Sequence, residues 1–272
     1  MRFDVIPDDT NPNLDDGVGL PPAPVLVPEG PDAGLVWHLG SPLREQRVMA
    51  GGAGVLALAN REVLEFDAPR WELEDLPGLR LSTDGRWAHA DPGWGEALVP
   101  RLRAALGLGV WRRRDLTVLW RGSRLDDPAG AVARNPSPVP DGVEWILPAS
   151  GEPPADAAPG RSSPGEGARP VGLWAYEALR IAAGVPRVGL DIPLDDAAAG
   201  RAGRPVRLLL EADELPPVGA PLTLDGHVVG RLGASAQHHE WGPVALAWCR
   251  ADPPRGAVLV VDQTCRAVPW PT

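Results

Sequence analysis

Apolar and polar residues follow two different periods along this chain, and together they predict a mixed α+β protein. Apolar side chains recur at helical spacing in residues 96–106 and 171–183. The pair Ser41-Pro42 is typical of a helix start, and Gly51-Gly52 is typical of its end. Shorter runs rich in Val and Leu predict strands at 55–59, 62–67, 79–82, 86–90, 116–120 and 143–147.

Short turns between neighbouring strands predict two β-hairpins in this first part of the chain. Asn60-Arg61 joins the two earliest strands, and Thr83-Asp84-Gly85 joins the next two. The helix predicted from residue 96 contains Pro100. Because proline interrupts a helix interior, we expect Pro100 to lie near the first turn.

From residue 206 onward the pattern becomes entirely β. Asp225-Gly226 tolerates the positive φ angles of a type I′ turn and so predicts a tight hairpin. A small five-stranded barrel or sandwich is the natural closure for strands this short. The strands are predicted at 206–211, 221–224, 227–232, 244–249 and 258–261.

The density of Pro, Gly and Ser divides the chain into three parts. Residues 1–33 are predicted to form an extended or mobile arm. Residues 34–200 are predicted to form an α+β region of two subdomains, with linkers near 122–141 and 149–169. The C-terminal β-barrel domain is predicted at 201–272.

The charged residues narrow the possible functions. The chain has no Lys, so all 26 basic residues are Arg, and both Schiff-base chemistry and a phosphate-loop lysine are excluded. The formal net charge is -10. Because binding to a phosphate backbone depends on basic side chains, we expect no direct contact with nucleic acid.

Cysteines, histidines and apolar runs indicate a cytoplasmic protein without a metal. Two cysteines are too few for a disulfide framework. No run of 18 apolar residues occurs, so we expect no membrane span. His238-His239 invites a metal interpretation, but neighbouring side chains of an extended strand point to opposite faces, and we predict no site there.

Three segments carry a family resemblance, and they occur in the family's order. They are Trp-His-Leu-Gly-Ser-Pro-Leu-Arg-Glu-Gln-Arg at 37–47, Gly-Leu-Trp-Ala-Tyr-Glu-Ala-Leu-Arg-Ile-Ala-Ala-Gly-Val-Pro-Arg at 172–187, and Leu-Asp-Gly-His-Val-Val-Gly-Arg-Leu-Gly-Ala-Ser at 224–235. They resemble the YgfZ family of folate-binding proteins, relatives of the glycine-cleavage aminomethyltransferases. The resemblance implies an α+β ring of subdomains with a small C-terminal β-barrel, around a central channel that holds tetrahydrofolate. It also implies a link to iron-sulfur proteins and to iron-sulfur-dependent tRNA modification.

The chain departs from these relatives at the residues that carry their chemistry. The family's Lys-Gly-Cys-aromatic-x-Gly-Gln-Glu motif is absent, because residues 191–204 hold no Lys, Cys or Gln. His89 and Ala90 stand where aminomethyltransferases have paired aspartates, and Ala182 stands in place of a carboxylate. We therefore predict no catalytic residues, which favours a protein that is not an enzyme.

The resemblance implies that the helix from residue 172 and the segment after it bind the folate. Trp174 or Tyr176 would stack on the pterin ring, Glu177 would accept its amino protons, and Arg180 or Arg187 would meet the glutamate tail. The alternative is an amphipathic core helix in which Glu177 and Arg180 are solvated or paired.

Three functions remain open from the sequence. The first is a non-catalytic, cytoplasmic folate-binding protein that assists iron-sulfur protein assembly or maintenance, with reduced folate and iron-sulfur client proteins as partners. The second is a degenerate paralogue that keeps the scaffold for a protein partner and binds no folate. The third is a folate-dependent aminomethyl or methyl transferase.

Overall fold

The computed structural model describes residues 23–107, 109–149, 167–199, 203–254, 256–262 and 265–270. Most of the predicted arm at 1–33 and most of the predicted linker at 149–169 lie outside these residues. The helices are α1 (Pro42–Ala50), α2 (Trp94–Leu106), α3 (Leu173–Ala183) and α4 (Leu194–Ala198). No helix in the described ranges combines the length and apolar character needed to cross a membrane.

Seventeen strands are described, and they are numbered in chain order. They are β1 (Val25–Leu26), β2 (Val36–His38), β3 (Gly54–Ala57), β4 (Glu62–Phe66), β5 (Leu79–Leu81), β6 (Trp87–Ala90), β7 (Val110–Arg112), β8 (Leu116–Gly122), β9 (Ala133–Pro136), β10 (Gly142–Pro148), β11 (Arg169–Pro170), β12 (Arg204–Glu211), β13 (Pro221–Leu224), β14 (His227–His238), β15 (Gly242–Cys249), β16 (Leu259–Val261) and β17 (Cys265–Pro269). They form two open sheets, a closed barrel and the small β1-β2 pair.

Five strands form the first sheet, in the order β11-β3-β8-β10-β9. β11 runs parallel to β3, whereas the other neighbours are antiparallel. One apolar face carries Val118, Trp120 and Ile146, which join Tyr176 and Leu179 of α3 in a single core cluster. The sheet therefore supports one side of α3.

Four strands form the second sheet, in the order β5-β6-β4-β7. The predicted β5-β6 hairpin is confirmed, with Arg80 opposite His89. The other predicted hairpin is wrong, because β3 and β4 belong to different sheets. Asn60 and Arg61 lack the positive φ angles that a type I′ turn requires, and Arg61 forms a buried ion pair with Asp91 instead.

α2 covers the second sheet and begins earlier than predicted. It starts at Trp94, so Pro100 lies inside the helix and not in its first turn. The buried Trp94 indole donates to the Pro77 carbonyl oxygen at 2.8 Å, and Leu98 and Leu102 pack into the core of the sheet. This packing holds the helix together around the backbone hydrogen bond that Pro100 cannot make.

α3 begins two residues later than predicted. Arg169–Pro170 is strand β11, and Gly172 occupies the N-cap position. The predicted end is confirmed, because Gly184 adopts a φ of +79° as the C-cap residue. α3 then lies between the first sheet and the barrel, where Ala178 and Ile181 pack against apolar residues of β14 and β15.

Six strands close the C-terminal barrel, one more than predicted. Their order is β12-β15-β14-β13-β16-β17, and β12 pairs with both β15 and β17. The Asp225-Gly226 hairpin is confirmed, with φ angles of 50° and 78°. The sequence prediction missed β17, which completes the closure of the barrel.

Candidate functional site

Trp174 on α3 is covered by a second indole ring. Trp37 of β2 stacks on it with ring centroids 5.6 Å apart and an interplanar angle of 17°. His38 meets Trp174 edge-on at 5.8 Å. Trp174 is only 4% exposed, so the face that Trp37 covers is closed to any other ring in this conformation. We call residues 30–40, which carry Trp37 across α3, the strap.

Tyr176 points to the opposite side, into the first sheet. Its hydroxyl donates to Glu144 Oε1 at 2.7 Å, and His89 Nε2 lies 2.7 Å from Glu144 Oε2. Burial, together with the nearby Glu144 carboxylate, raises the pKa of Tyr176 well above its ordinary value. Tyr176 is thus a neutral hydrogen-bond donor between helix and sheet, away from Trp37.

Glu177 is held by two guanidinium groups at once. Its Oε2 accepts hydrogen bonds from Arg180 Nε and Nη2 at 2.9 and 2.5 Å, and its Oε1 accepts one from Arg187 Nη1 at 2.7 Å. Burial alone would raise the pKa of Glu177, but the two arginines outweigh burial and lower it to about 2. The carboxylate is therefore ionised at neutral pH.

Arg180 connects α3 to the barrel. Its Nη1 donates to the Val185 carbonyl oxygen at 2.8 Å and to Asp191 Oδ2 at 2.7 Å. Asp191 Oδ1 accepts a hydrogen bond of 2.6 Å from the backbone N–H of Ala234 in β14. Burial disfavours the charge on Arg180, but Asp191 and Glu177 outweigh burial and raise its pKa.

Arg187 connects the same cluster to the strap and to the second sheet. Its Nη2 donates to Asp32 Oδ1 at 2.9 Å. Asp91, just after β6, lies 3.9 Å from Arg187 Nε and accepts a hydrogen bond of 2.9 Å from the Val188 N–H. The seven charged residues involved are called the central charge network: Asp32, Arg61, Asp91, Glu177, Arg180, Arg187 and Asp191.

A small cavity lies beside α3, and it contacts only some of the predicted site residues. Its volume is about 10 Å³, and its lining includes Trp174 and Glu177 but not Tyr176, Arg180 or Arg187. That space holds about one water molecule. Pockets for ligands of drug size measure roughly 300–1,000 Å³, so the residues present do not fit a tetrahydrofolate at this place.

Sequence reasoning missed Glu45, which joins the strap to the start of α3. Glu45 Oε1 accepts from the Leu39 N–H and its Oε2 from the Gly172 N–H, both at 2.8 Å. Gly172 has no side chain that could cap its own helix. Because the first N–H groups of a helix need acceptors, this missing cap was a usable signal for a remote carboxylate.

The histidine pair differs from the sequence prediction in geometry. The rings of His238 and His239 do not diverge but lie 4.6 Å apart. Burial first, and then the charge of His239, lowers the pKa of His238 to about 4. Within the ranges that the structure describes, no group of three or more His, Cys, Asp and Glu side chains could hold a metal ion.

Comparison with known proteins identifies the fold. No protein-family model matches the sequence, and no curated protein matches it. Among solved structures, the chain is similar to the glycine cleavage system aminomethyltransferase T from Bartonella henselae, with a TM-score of 0.59 and 14% identity over 89% of this chain and 91% of that chain. The protein therefore has the aminomethyltransferase fold, which confirms the predicted α+β class and C-terminal barrel.

Proposed function

We propose that this chain is a non-catalytic protein of the aminomethyltransferase fold that acts as a protein-interaction scaffold without folate. This is the second of the three functions left open by the sequence. The observation that carries the proposal is the central charge network. Glu177, Arg180 and Arg187, expected from the resemblance to hold a folate, hydrogen-bond to one another and to three surrounding parts of the molecule.

Group transfer also lacks a suitable acid or base beside the cavity. A general acid needs a pKa near the working pH, whereas Glu177 has a pKa of about 2. Ser235 also lines the cavity, but its hydroxyl donates to the Pro216 carbonyl oxygen at 3.0 Å, with no base bonded to it. These contacts argue against the transferase alternative.

Calorimetric titration with 5-formyltetrahydrofolate tests this proposal. We expect no saturable binding to the wild-type protein, because the face of Trp174 is covered and the arginines are paired. Intrinsic tryptophan fluorescence, followed in parallel, should change only by the ligand's own absorption. Saturable one-to-one binding at micromolar ligand would overturn the proposal.

Folate binding is the second candidate, and one observation favours it. The cavity at α3 is lined by Trp174 and Glu177, two of the five residues expected from the resemblance. A folate there would require Trp37 to leave its stacked position. If the titration does show binding, a Trp174→Leu variant should lose it. An iron-sulfur role would then gain support if a client protein co-purified only in the presence of folate.

A further inference from the structure

The strap places a ring and a carboxylate on two residues suited to bind a ligand. Trp37 stacks on Trp174, and Asp32 pairs with Arg187. We propose that Trp37 and Asp32 are internal occupants of a latent binding site on α3, whose ligand is a planar aromatic ring bearing a carboxylate. The inference rests on the proposed function, because it explains how the fold closes its centre without a folate.

The ring position is continuous with existing space. Trp37 and Trp174 both line the 10 Å³ cavity, so removing the Trp37 indole would join the two volumes. The other lining residues are mostly apolar: Ile181, Leu215, Ala234 and Ala236. Mostly apolar walls with few polar groups are typical of small-molecule sites, and an apolar cavity on the order of 150 Å³ binds benzene.

The carboxylate position has a donor to spare. Arg187 is 2% exposed and donates to Asp32 on the strap and to Glu177 on α3. Its Nε is buried and has no hydrogen-bond partner among the residues that the structure describes. Because guanidinium groups bind carboxylates through two parallel hydrogen bonds, a ligand carboxylate in place of Asp32 could use Nη2 and Nε together.

The strap has the backbone of a separate segment. Gly34 and Gly40 flank Trp37 with φ angles of +84° and +108°, in the region that favours glycine. Strand pairing holds it only through β1 and β2, which are two and three residues long. Trp37 can therefore be exchanged for a ligand without dismantling either large sheet or the barrel.

Two variants separate the ring position from the carboxylate position. Trp37→Ala empties the first, and Trp37→Ala/Asp32→Asn empties the first and neutralises the second. The probes are indole-3-acetamide, a ring without charge, and indole-3-acetate, a ring with a carboxylate. Binding is measured by calorimetry. Circular dichroism checks folding, and Trp37→Leu serves as the ring variant if Trp37→Ala does not fold.

We expect Trp37→Ala to bind indole-3-acetamide at least about ten-fold more tightly than wild type does, a difference of about 1.4 kcal/mol. The double variant should prefer indole-3-acetate to the amide by a similar factor. Trp71→Ala, which removes an exposed indole elsewhere, should behave as wild type.

A folded Trp37 variant that binds neither probe better than wild type overturns the inference. A double variant without preference for the acid overturns its carboxylate part. Failure of the proposed function gives a different result, namely folate binding by the wild-type protein itself.

Discussion

Glu177 pairs with two buried arginines, and this arrangement has a measurable consequence. Removing one member of a buried ion pair leaves the partner's charge without compensation, which costs about 3–5 kcal/mol. The low pKa of Glu177 follows from the same contacts, because the arginines stabilise the ionised form more than burial penalises it. Stability and protonation are therefore linked at this residue.

We predict that Glu177→Gln lowers the free energy of unfolding by about 3–5 kcal/mol at pH 7. The folded pKa of about 2 lies below the ordinary value of 4.5, so the carboxylate's contribution is complete above pH 4.5 and is lost as the pH falls toward 2. The gap between variant and wild type should shrink over that window in urea unfolding.

Glu211→Gln is the matched control, because Glu211 pairs with Arg266 at the surface. Its loss should stay within about 1 kcal/mol. A Glu177→Gln loss no larger than that of this control would contradict the predicted role of Glu177.

Cys249 is predicted to react slowly. Burial in the barrel, and to a lesser extent Asp252, raises the pKa of its thiol from 9.0 to about 11. Two pKa units reduce the thiolate fraction at pH 8 about 100-fold, and the thiolate is the reactive form. Alkylation followed by peptide mass spectrometry should show protection that disappears in urea; fast native labelling of Cys249 would contradict this prediction.

Glu45 acts as a clamp between three elements. It belongs to α1, yet it accepts hydrogen bonds from the strap and from the start of α3. Charge-assisted hydrogen bonds of this kind contribute about 1.5–3 kcal/mol each. A helix whose own N-cap is glycine thus takes its cap from a neighbouring helix.

We predict that Glu45→Ala destabilises the protein by about 2–4 kcal/mol, because two backbone donors lose a charged acceptor. Limited proteolysis should also cut first within the strap. Glu74→Ala, at an exposed residue, is the control and should change stability by less than about 0.5 kcal/mol. Equal stabilities of the two variants would contradict the clamp.

Local signals predicted the elements better than their partners. The ends of α3, the β5-β6 hairpin and the Asp225-Gly226 turn follow from nearby residues, and all but the first residues of α3 are confirmed. The β3-β4 hairpin failed because strand pairing is a non-local choice, decided here by two different sheets. Pro100 failed because burial of the α2 face overrides the local cost of proline.

The candidate site followed the same division. Periodicity placed the charged residues of α3 on the central helix, and pairing of Glu177 with Arg180 was the stated alternative to folate binding. The other members, Asp32, Asp91 and Asp191, come from three separate segments. Their convergence depends on how the subdomains pack, which local sequence patterns do not encode.

Across the whole molecule, the central charge network links the two sheets, the strap and the barrel. Arg180 lies at its middle, with no exposed surface. Through Asp191 it reaches the backbone of β14, and through Glu177 it reaches Arg187 and the second sheet. A structural brace and a ligand site make opposite predictions for this residue.

Equilibrium urea unfolding of Arg180→Met distinguishes them. If the network is a brace, the free energy of unfolding falls by about 3–5 kcal/mol, because Glu177 and Asp191 stay buried without their shared partner. Arg204→Met, which removes an exposed pair with Asp252, should change it by less than about 1 kcal/mol. An Arg180→Met protein as stable as wild type would contradict the structural role of the network.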